Sequence, residues 1–237
     1  RRSADLFDGY RVDHLVGYYR TYGRPRDGGE PFFTPADEHT QTALGERVLE
    51  ILRGAGREII AEDLGTVPDF VRASLSSLGL PGFRVFRWER HWHVDGQPFR
   101  DPMEYPAPSV AASGTHDTES MVVWWEHAAE DDKRKVSELP TIQRLTRGAG
   151  LAGAQAVPVV RDVLLEALFA AGSNLVLLPI QDVFGWRDRI NEPATITDEN
   201  WTFRLPWPCD RLDEVPEARE RQARLRSWAE QYGRTPR

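Results

Sequence analysis

Short apolar runs that break off into acids recur along this chain. Residues 7–14 (FDGYRVDH), 58–63 (EIIAED), 83–88, 109–113 and 174–180 each have the length and composition of a strand. Longer stretches with apolar positions at helical spacing lie between them. Thr34-Pro35 opens a predicted helix through Arg53, with Asp37 and Glu38 in its first turn and Gly54 and Gly56 beyond its end. Its apolar face is Ala43, Leu44, Val48, Ile51 and Leu52. Further helices are predicted over 68–78, stopped by Gly79, over 119–129, over 159–171, closed by Gly172, and over 217–232. Residues 21–35 and 187–208 carry the Gly, Pro and Trp content of loops.

Strands that alternate with helices predict an α/β fold built from parallel βα units. The strand runs are short and mainly apolar, as strands are when both faces are covered. Four of the five end in polar pairs: Asp13-His14, Glu62-Asp63, His116-Asp117 and Gln181-Asp182. In a (β/α)8 barrel the active site lies at the carboxyl ends of the strands. The pattern therefore points to a catalytic face made of acids.

Composition narrows this further. The chain has 237 residues, and 30 Lys and Arg against 37 Asp and Glu give a net charge of −7. An acidic chain lacks the clustered positive charge that nucleic acid or an anionic membrane would need. The Arg-rich stretch over 219–237 also holds Glu220 and Glu230, and reads as a solvated helix face. The single cysteine, Cys209, cannot form an internal disulfide, which fits a reducing, cytoplasmic setting. No Cys/His cluster has metal-ligand spacing, so neither metal nor cofactor is expected. No apolar run reaches the ~20 residues of a membrane span. Strand-like sequence starts within ten residues of a first residue that is not Met, and the chain is expected to be part of a longer protein.

Asp13, Glu62 and Asp117 follow one another at intervals of 49 and 55 residues, each long enough for a βα unit and a substrate loop. A retaining glycosidase needs one carboxylate as nucleophile and one carboxylic acid as proton donor, about 5–5.5 Å apart. Arg11 lies two residues before Asp13 and so projects from the same strand face, where a cation favours the ionised form that a nucleophile needs. Glu62 follows Ile59-Ile60-Ala61, and an apolar pocket there would favour the protonated form that an acid needs. Aromatic side chains are plentiful. Trp124 and Trp125 on a helix read as core, whereas Tyr18, Tyr19 and Tyr22 in the loop after Asp13 read either as core or as surfaces that stack on sugar rings.

GYRVDH (9–14) resembles the nucleophile motif shared by α-amylase-like barrels, and IIAEDLG (59–65) and SGTHDT (113–118) resemble the acid/base and third acidic motifs of the amylomaltases, or disproportionating enzymes, the 4-α-glucanotransferases of glycoside hydrolase family 77. LPGFRVFRWE (80–89), LPIQDVFGW (178–186), the Asn191-Glu192-Pro193 turn and NWTFRLP (200–206) continue the resemblance in order along nearly the whole chain. It implies a partial (β/α)8 TIM barrel, strands four to eight with their helices, with residues 1–237 as the C-terminal portion of a single catalytic domain whose first three strands are absent. It implies an α-1,4-glucan or maltooligosaccharide donor and a sugar acceptor. Asp13 would be the nucleophile, Glu62 the acid/base, and Asp117 a non-covalent stabiliser of the distorted sugar. Arg11 and His116 would contact the donor sugar, and His14, Tyr18, Tyr19, Asp63 and Asp182 would complete the substrate-binding set. The third motif departs from many relatives in reading Asp-Thr-Glu-Ser after His116. An α-amylase-type hydrolase with the same three acids, and a non-catalytic glucan-binding fragment, are the alternative readings. By itself the chain is expected to be inactive.

Overall fold

A computed structural model describes residues 2–151 and 157–235. Five strands form one sheet in the order β1 (Gly9–Val12), β4 (Glu58–Ala61), β5 (Gly82–Val85), β6 (Ser109–Ala112) and β7 (Leu175–Leu177). The registered pairs β1–β4 and β4–β5 are parallel. This is the predicted α/β layout and the sheet of a partial barrel. Each strand is three or four residues long, and β6 is buried at all four positions.

The chain divides into two compact units, one of residues 1–83 with 108–110 and one of residues 84–107 with 111–237. The domain expectation for 1–237 also takes in residues 1, 152–156 and 236–237, which lie outside the described residues.

In the first unit, α1 (Glu38–Arg53) starts later than predicted. Asp37 is its N-cap, accepting the Thr40 N–H at 2.9 Å, and these bonds hold the Asp37 carboxyl below the usual carboxylate range. Its buried stripe is Gln41, Gly45 and Leu49. Leu44 and Ile51, placed in the core by periodicity, face outward at 44% and 61% exposure. Gly45 explains the rotation. The Tyr19 ring lies against it so closely that a Cβ there would overlap the ring. Tyr19 is fully buried and its hydroxyl meets Ser74 Oγ at 2.9 Å. It packs with Val12, Leu15, Leu49, Ile59 and Ala61, with α2 (Asp69–Ser77) closing this core through Val71 and Leu75.

The predicted loop 21–35 contains a small antiparallel hairpin, β2 (Thr21–Gly23) with β3 (Phe32–Thr34). Tyr22 and Phe33 are cross-strand partners with ring centroids 5.2 Å apart, and the Arg20 guanidinium sits 3.9 Å over Phe33. Three-residue strands separated by Gly and Pro carry too little periodicity to read.

In the second unit, Val85 ends the strand predicted to run to residue 88, and Phe86–Trp88 turns as a 3-10 helix. α3 (Met121–His127), α4 (Glu130–Ser137), α5 (Pro140–Leu145) and α6 (Val157–Phe169) pack around Phe86, Trp125, Ile142, Leu164 and Leu168. Trp125 is buried and Trp124 packs against the same core, as expected. α4 and α5 were not anticipated, because Glu130 to Lys135 is wholly charged and shows no apolar period. Surface pairs such as Lys133–Glu130 at 2.9 Å line α4.

β7 is also shorter than the run 174–180. Pro179 caps a short helix, α7 (Ile180–Phe184), so Gln181 and Asp182 lie on a helix rather than at a strand end. α8 (Pro216–Gln231) is not uniformly solvated: Arg221 is 3% exposed, donating to the Val183 carbonyl at 2.8 Å and pairing with Asp162 at 2.9 Å. Arg237, the end of that Arg-rich stretch, lies outside the described residues. Among the described residues no helix is long and apolar enough to cross a membrane.

Gly45→Ala is expected to destabilise the protein by about 1–3 kcal/mol, because the Tyr19 ring is pinned by Ser74 and cannot yield. Urea unfolding of the full-length gene product checks this; an unchanged midpoint would show that the ring moves freely.

Candidate active site

Three of the predicted acids follow the carboxyl ends of their strands. Asp13 follows β1, Glu62 follows β4, and Asp117 lies five residues past β6. The β1–β4 register pairs Val12 with Ala61, which places Asp13 and Glu62 at matching heights on neighbouring strands.

Arg11 joins them. Its Nη1 lies 2.6 Å from Asp13 Oδ1 and its Nη2 lies 3.1 Å from Glu62 Oε2. One guanidinium therefore holds two carboxylates, the forked geometry for which Arg is suited. The two acids differ in access: the Asp13 side chain is 71% exposed and that of Glu62 18%. The apolar pocket expected around Glu62 is not what surrounds its carboxyl group. The strand residues before it are apolar, but the carboxylate turns to polar partners, Arg11 and the His14 backbone N–H, which donates to Oε2 at 2.7 Å. His14 can aim that N–H because it adopts the left-handed conformation, φ 42° and ψ 54°. A non-glycine residue held so costs about 1–3 kcal/mol of strain, and such residues gather at functional sites. His14 thus touches Glu62 through its backbone.

Asp63, beside Glu62, is 1% exposed. Its Oδ1 accepts the Phe83 N–H at 2.7 Å, and a Cβ on Gly82 would stand 2.5 Å from the same oxygen. It ties β4 to β5 and offers a substrate no surface. Tyr19 is likewise buried and cannot stack on a sugar as placed, whereas Tyr18 is 39% exposed. Sequence spacing places both tyrosines in one loop and cannot tell which one α1 covers.

In the second unit, His116 and Asp117 sit in a tight turn. The Asp117 N–H donates to Thr115 Oγ1 at 3.2 Å, and His116 Nε2 lies 3.4 Å from Asp117 Oδ1. The loop after α7 then supplies residues that the sequence reading missed. Asn191 donates its side-chain N–H to Asp117 Oδ1 at 2.6 Å, and its backbone N–H to the His116 carbonyl at 3.0 Å. Arg189 donates to the Asp117 carbonyl at 2.7 Å. Trp201, left-handed at φ 63°, lays its ring 5.2 Å from that of His116. The Asn191-Glu192-Pro193 turn was the available signal, but no spacing rule ties it to Asp117.

Asp182 is 1% exposed and bonds to the Ser113 hydroxyl and, at 2.6 Å, to the Met121 N–H. Burial pushes its carboxyl up from the usual range, against the pull of those two bonds. Arg87, also buried, pairs with Glu119 at 2.7 Å, and burial lowers its guanidinium from the ordinary value.

Two acids at the carboxyl ends of neighbouring parallel strands, sharing one arginine, fit the strand-end face of a (β/α) barrel. Comparison with known proteins narrows the class. The family model for 4-alpha-glucanotransferase matches residues 1–210, and the chain belongs to that family. It is 30% identical over 217 residues to the 4-alpha-glucanotransferase of Chlamydia pneumoniae, covering 86% of this chain and 39% of that protein. It is 27% identical over 240 residues to the chloroplastic/amyloplastic 4-alpha-glucanotransferase of Arabidopsis thaliana, covering 99% and 37%. The amylomaltase of Streptococcus agalactiae, solved with acarbose, superposes with a TM-score of 0.71 at 22% identity, over 98% of this chain and 43% of that one. The amylomaltase of Corynebacterium glutamicum gives 0.71 at 19% identity, over 93% and 36%. The structural likeness establishes the fold, part of an amylomaltase barrel. The chain spans about two fifths of the length of the curated relatives it matches.

A carboxyl raised by burial takes up a proton more readily folded than unfolded. Asp182 therefore favours folding most at low pH, and that contribution is lost as pH rises from about 4, the unfolded value, through the folded one. Asp182→Asn removes the titration. The stability of this variant relative to the unaltered protein is expected to improve between pH 4 and pH 7. A difference constant with pH, by denaturant unfolding, would show that burial does not raise the Asp182 carboxyl.

Proposed function

We propose that the protein containing this chain is a retaining α-1,4-glucan transferase that disproportionates maltooligosaccharides. The observation that carries this reading is the Arg11 guanidinium bonded to both Asp13 and Glu62 at adjacent strand ends. Two acids held side by side with unequal exposure suit two different roles, and membership of the 4-alpha-glucanotransferase family supports transfer over hydrolysis.

In the first step Asp13 attacks C1 of the donor sugar while Glu62 gives its proton to the glycosidic oxygen. The C1–O bond breaks, the reducing-end fragment leaves as an alcohol, and a β-glucosyl ester remains on Asp13. In the second step Glu62 takes the proton from the 4-hydroxyl of an acceptor glucan, whose oxygen attacks C1 and frees Asp13. Two inversions give net retention. Asp117 forms no covalent bond; it accepts hydrogen bonds from the donor ring hydroxyls and favours the oxocarbenium-like geometry. The chemistry requires all three acids at one sugar ring. Arg11 and His116 contact that ring beside the cleaved bond, Trp201 supports the His116 imidazole, and Tyr18 offers a stacking surface. Asp63, Asp182 and Tyr19 serve by holding these groups in place.

The reading extends to the domain. Residues 1–237 supply strands four to eight of a single (β/α)8 barrel, and the other strands come from sequence outside this chain. The share of the relatives that is covered supports this. A cytoplasmic location fits a glucan substrate, and neither step calls for a cofactor or a metal. Residues 1–237 expressed alone are expected to show no maltotriose disproportionation and no sharp melting transition. A soluble, cooperatively melting, active product would overturn the domain reading.

Glu62→Gln in the full-length gene product is expected to abolish transfer between natural maltooligosaccharides while sparing the first step with an α-glucosyl fluoride. Fluoride leaves without a proton, so the acid is not needed to expel it. Release of fluoride and formation of oligosaccharide are measured side by side. Equal loss of both would remove Glu62 from the acid/base role.

A further inference from the structure

The segment from Ser113 to Met121 carries His116 and Asp117, and it is fastened at both ends to one buried carboxylate. Asp182 accepts the Ser113 hydroxyl on Oδ2 and the Met121 N–H on Oδ1. A third tie acts two residues before the Met121 end. Arg87 holds the Glu119 carboxylate at 2.7 Å and the Glu119 carbonyl at 2.9 Å. Both clamping side chains are almost wholly buried, Asp182 at 1% and Arg87 at 6% exposure, so neither can touch a substrate.

We propose that Asp182 is a positioning residue for catalysis, setting the stance of Asp117 by pinning the two ends of the turn that bears it. This rests on the reading of Asp117 as the non-covalent stabiliser. The physical case is one of cost and placement. Burying a carboxylate carries a desolvation penalty that is offset only when its oxygens are well bonded. Here that penalty is met where two bonds fix both ends of a segment. Within the segment, bonds are local: Thr118 Oγ1 receives the Thr115 N–H at 3.1 Å and returns a bond to the Thr115 carbonyl at 3.0 Å. They shape the turn but do not anchor it. From the other side, Asn191 and Arg189 fix the Asp117 side chain and carbonyl. Asp182 anchors the turn's backbone, and Asn191 then orients the carboxylate upon it.

Three substitutions separate the roles. Asp182→Ala removes both ties. Asp182→Asn keeps one oxygen for the Met121 N–H, and its amide can donate to Ser113 Oγ, since a hydroxyl serves as donor or acceptor. Ser113→Ala removes one tie only. Misplacing a catalytic group by a fraction of an ångström lowers kcat steeply, by up to about a hundredfold for 1 Å. In the full-length gene product, Asp182→Ala is expected to lower kcat for maltooligosaccharide transfer at least tenfold, with KM within about threefold. Ser113→Ala should fall between it and the unaltered protein, and Asp182→Asn should recover most of the loss. Melting curves establish that each variant is folded at the assay temperature.

A double-mutant cycle with Asp117→Ala decides the matter, read on fluoride release from α-glucosyl fluoride. If Asp182 acts through Asp117, adding Asp182→Ala to Asp117→Ala costs less than a further twofold. Fully additive losses would make Asp182 a general support of the fold and overturn the proposal. So would Asp182→Asn as impaired as Asp182→Ala, which would show that charge rather than bonding matters. If Asp117→Ala alone left the rate unchanged, the failure would lie with the catalytic reading of Asp117 and not with the clamp.

Discussion

The bridge from Arg11 to Asp13 and Glu62 is the interaction on which the rest of the account depends. Two carboxylates at neighbouring strand ends repel each other, and the pair is tolerable only with a cation between them. The parallel register of β1 and β4 brings the two acids level, and Arg11, two residues before Asp13, points from the same strand face. Its fork then reaches one acid with each terminal nitrogen. The left-handed His14 follows from the same constraint, since its backbone N–H must turn toward Glu62. Tyr19, buried on Gly45, fixes the start of the loop that leaves this site.

Buried acids elsewhere in the chain do a different job. Asp63 accepts the Phe83 N–H, Asp101 accepts the Met103 and Thr141 N–H groups at 2.9 and 2.8 Å, and Asp182 accepts that of Met121. Each joins its own segment to a backbone elsewhere in the chain or in the next turn, and none is accessible. Asp13 and Glu62 differ from these: both pair with the Arg11 guanidinium, and the Asp13 side chain is 71% exposed. Burial thus sets the acids that hold the backbone apart from the pair bridged by Arg11.

That division is where reading the sequence met its limit. The alternation of strands and helices, and the acids that end the strands, are local and periodic, so β1, β4 and β6 and the positions of Asp13, Glu62 and Asp117 were legible. Asp63 and Asp182 share the same strand-end pattern, and nothing local marks them as buried. Tyr18 and Tyr19 are adjacent, and only the missing side chain of Gly45, 26 positions from Tyr19, decides which one goes inside. Asn191, Arg189 and Trp201 lie in a loop without period, reaching His116 and Asp117 across more than 70 residues. α4 escaped notice because its stability comes from surface ion pairs and from Val136, the one apolar residue of its eight, rather than from an apolar stripe.

The covalent step on Asp13 is the central claim, and trapping it is the most direct test. The full-length protein bearing Glu62→Gln is mixed with α-glucosyl fluoride, quenched in acid, digested and mapped by mass spectrometry. Glycosylation proceeds because fluoride needs no proton, and turnover of the ester stalls because the general base is gone. One hexosyl group is expected on the peptide that contains Asp13, and none when Asp13→Asn is added. A hexosyl group on any other residue, or fluoride release undiminished by Asp13→Asn, would contradict the account.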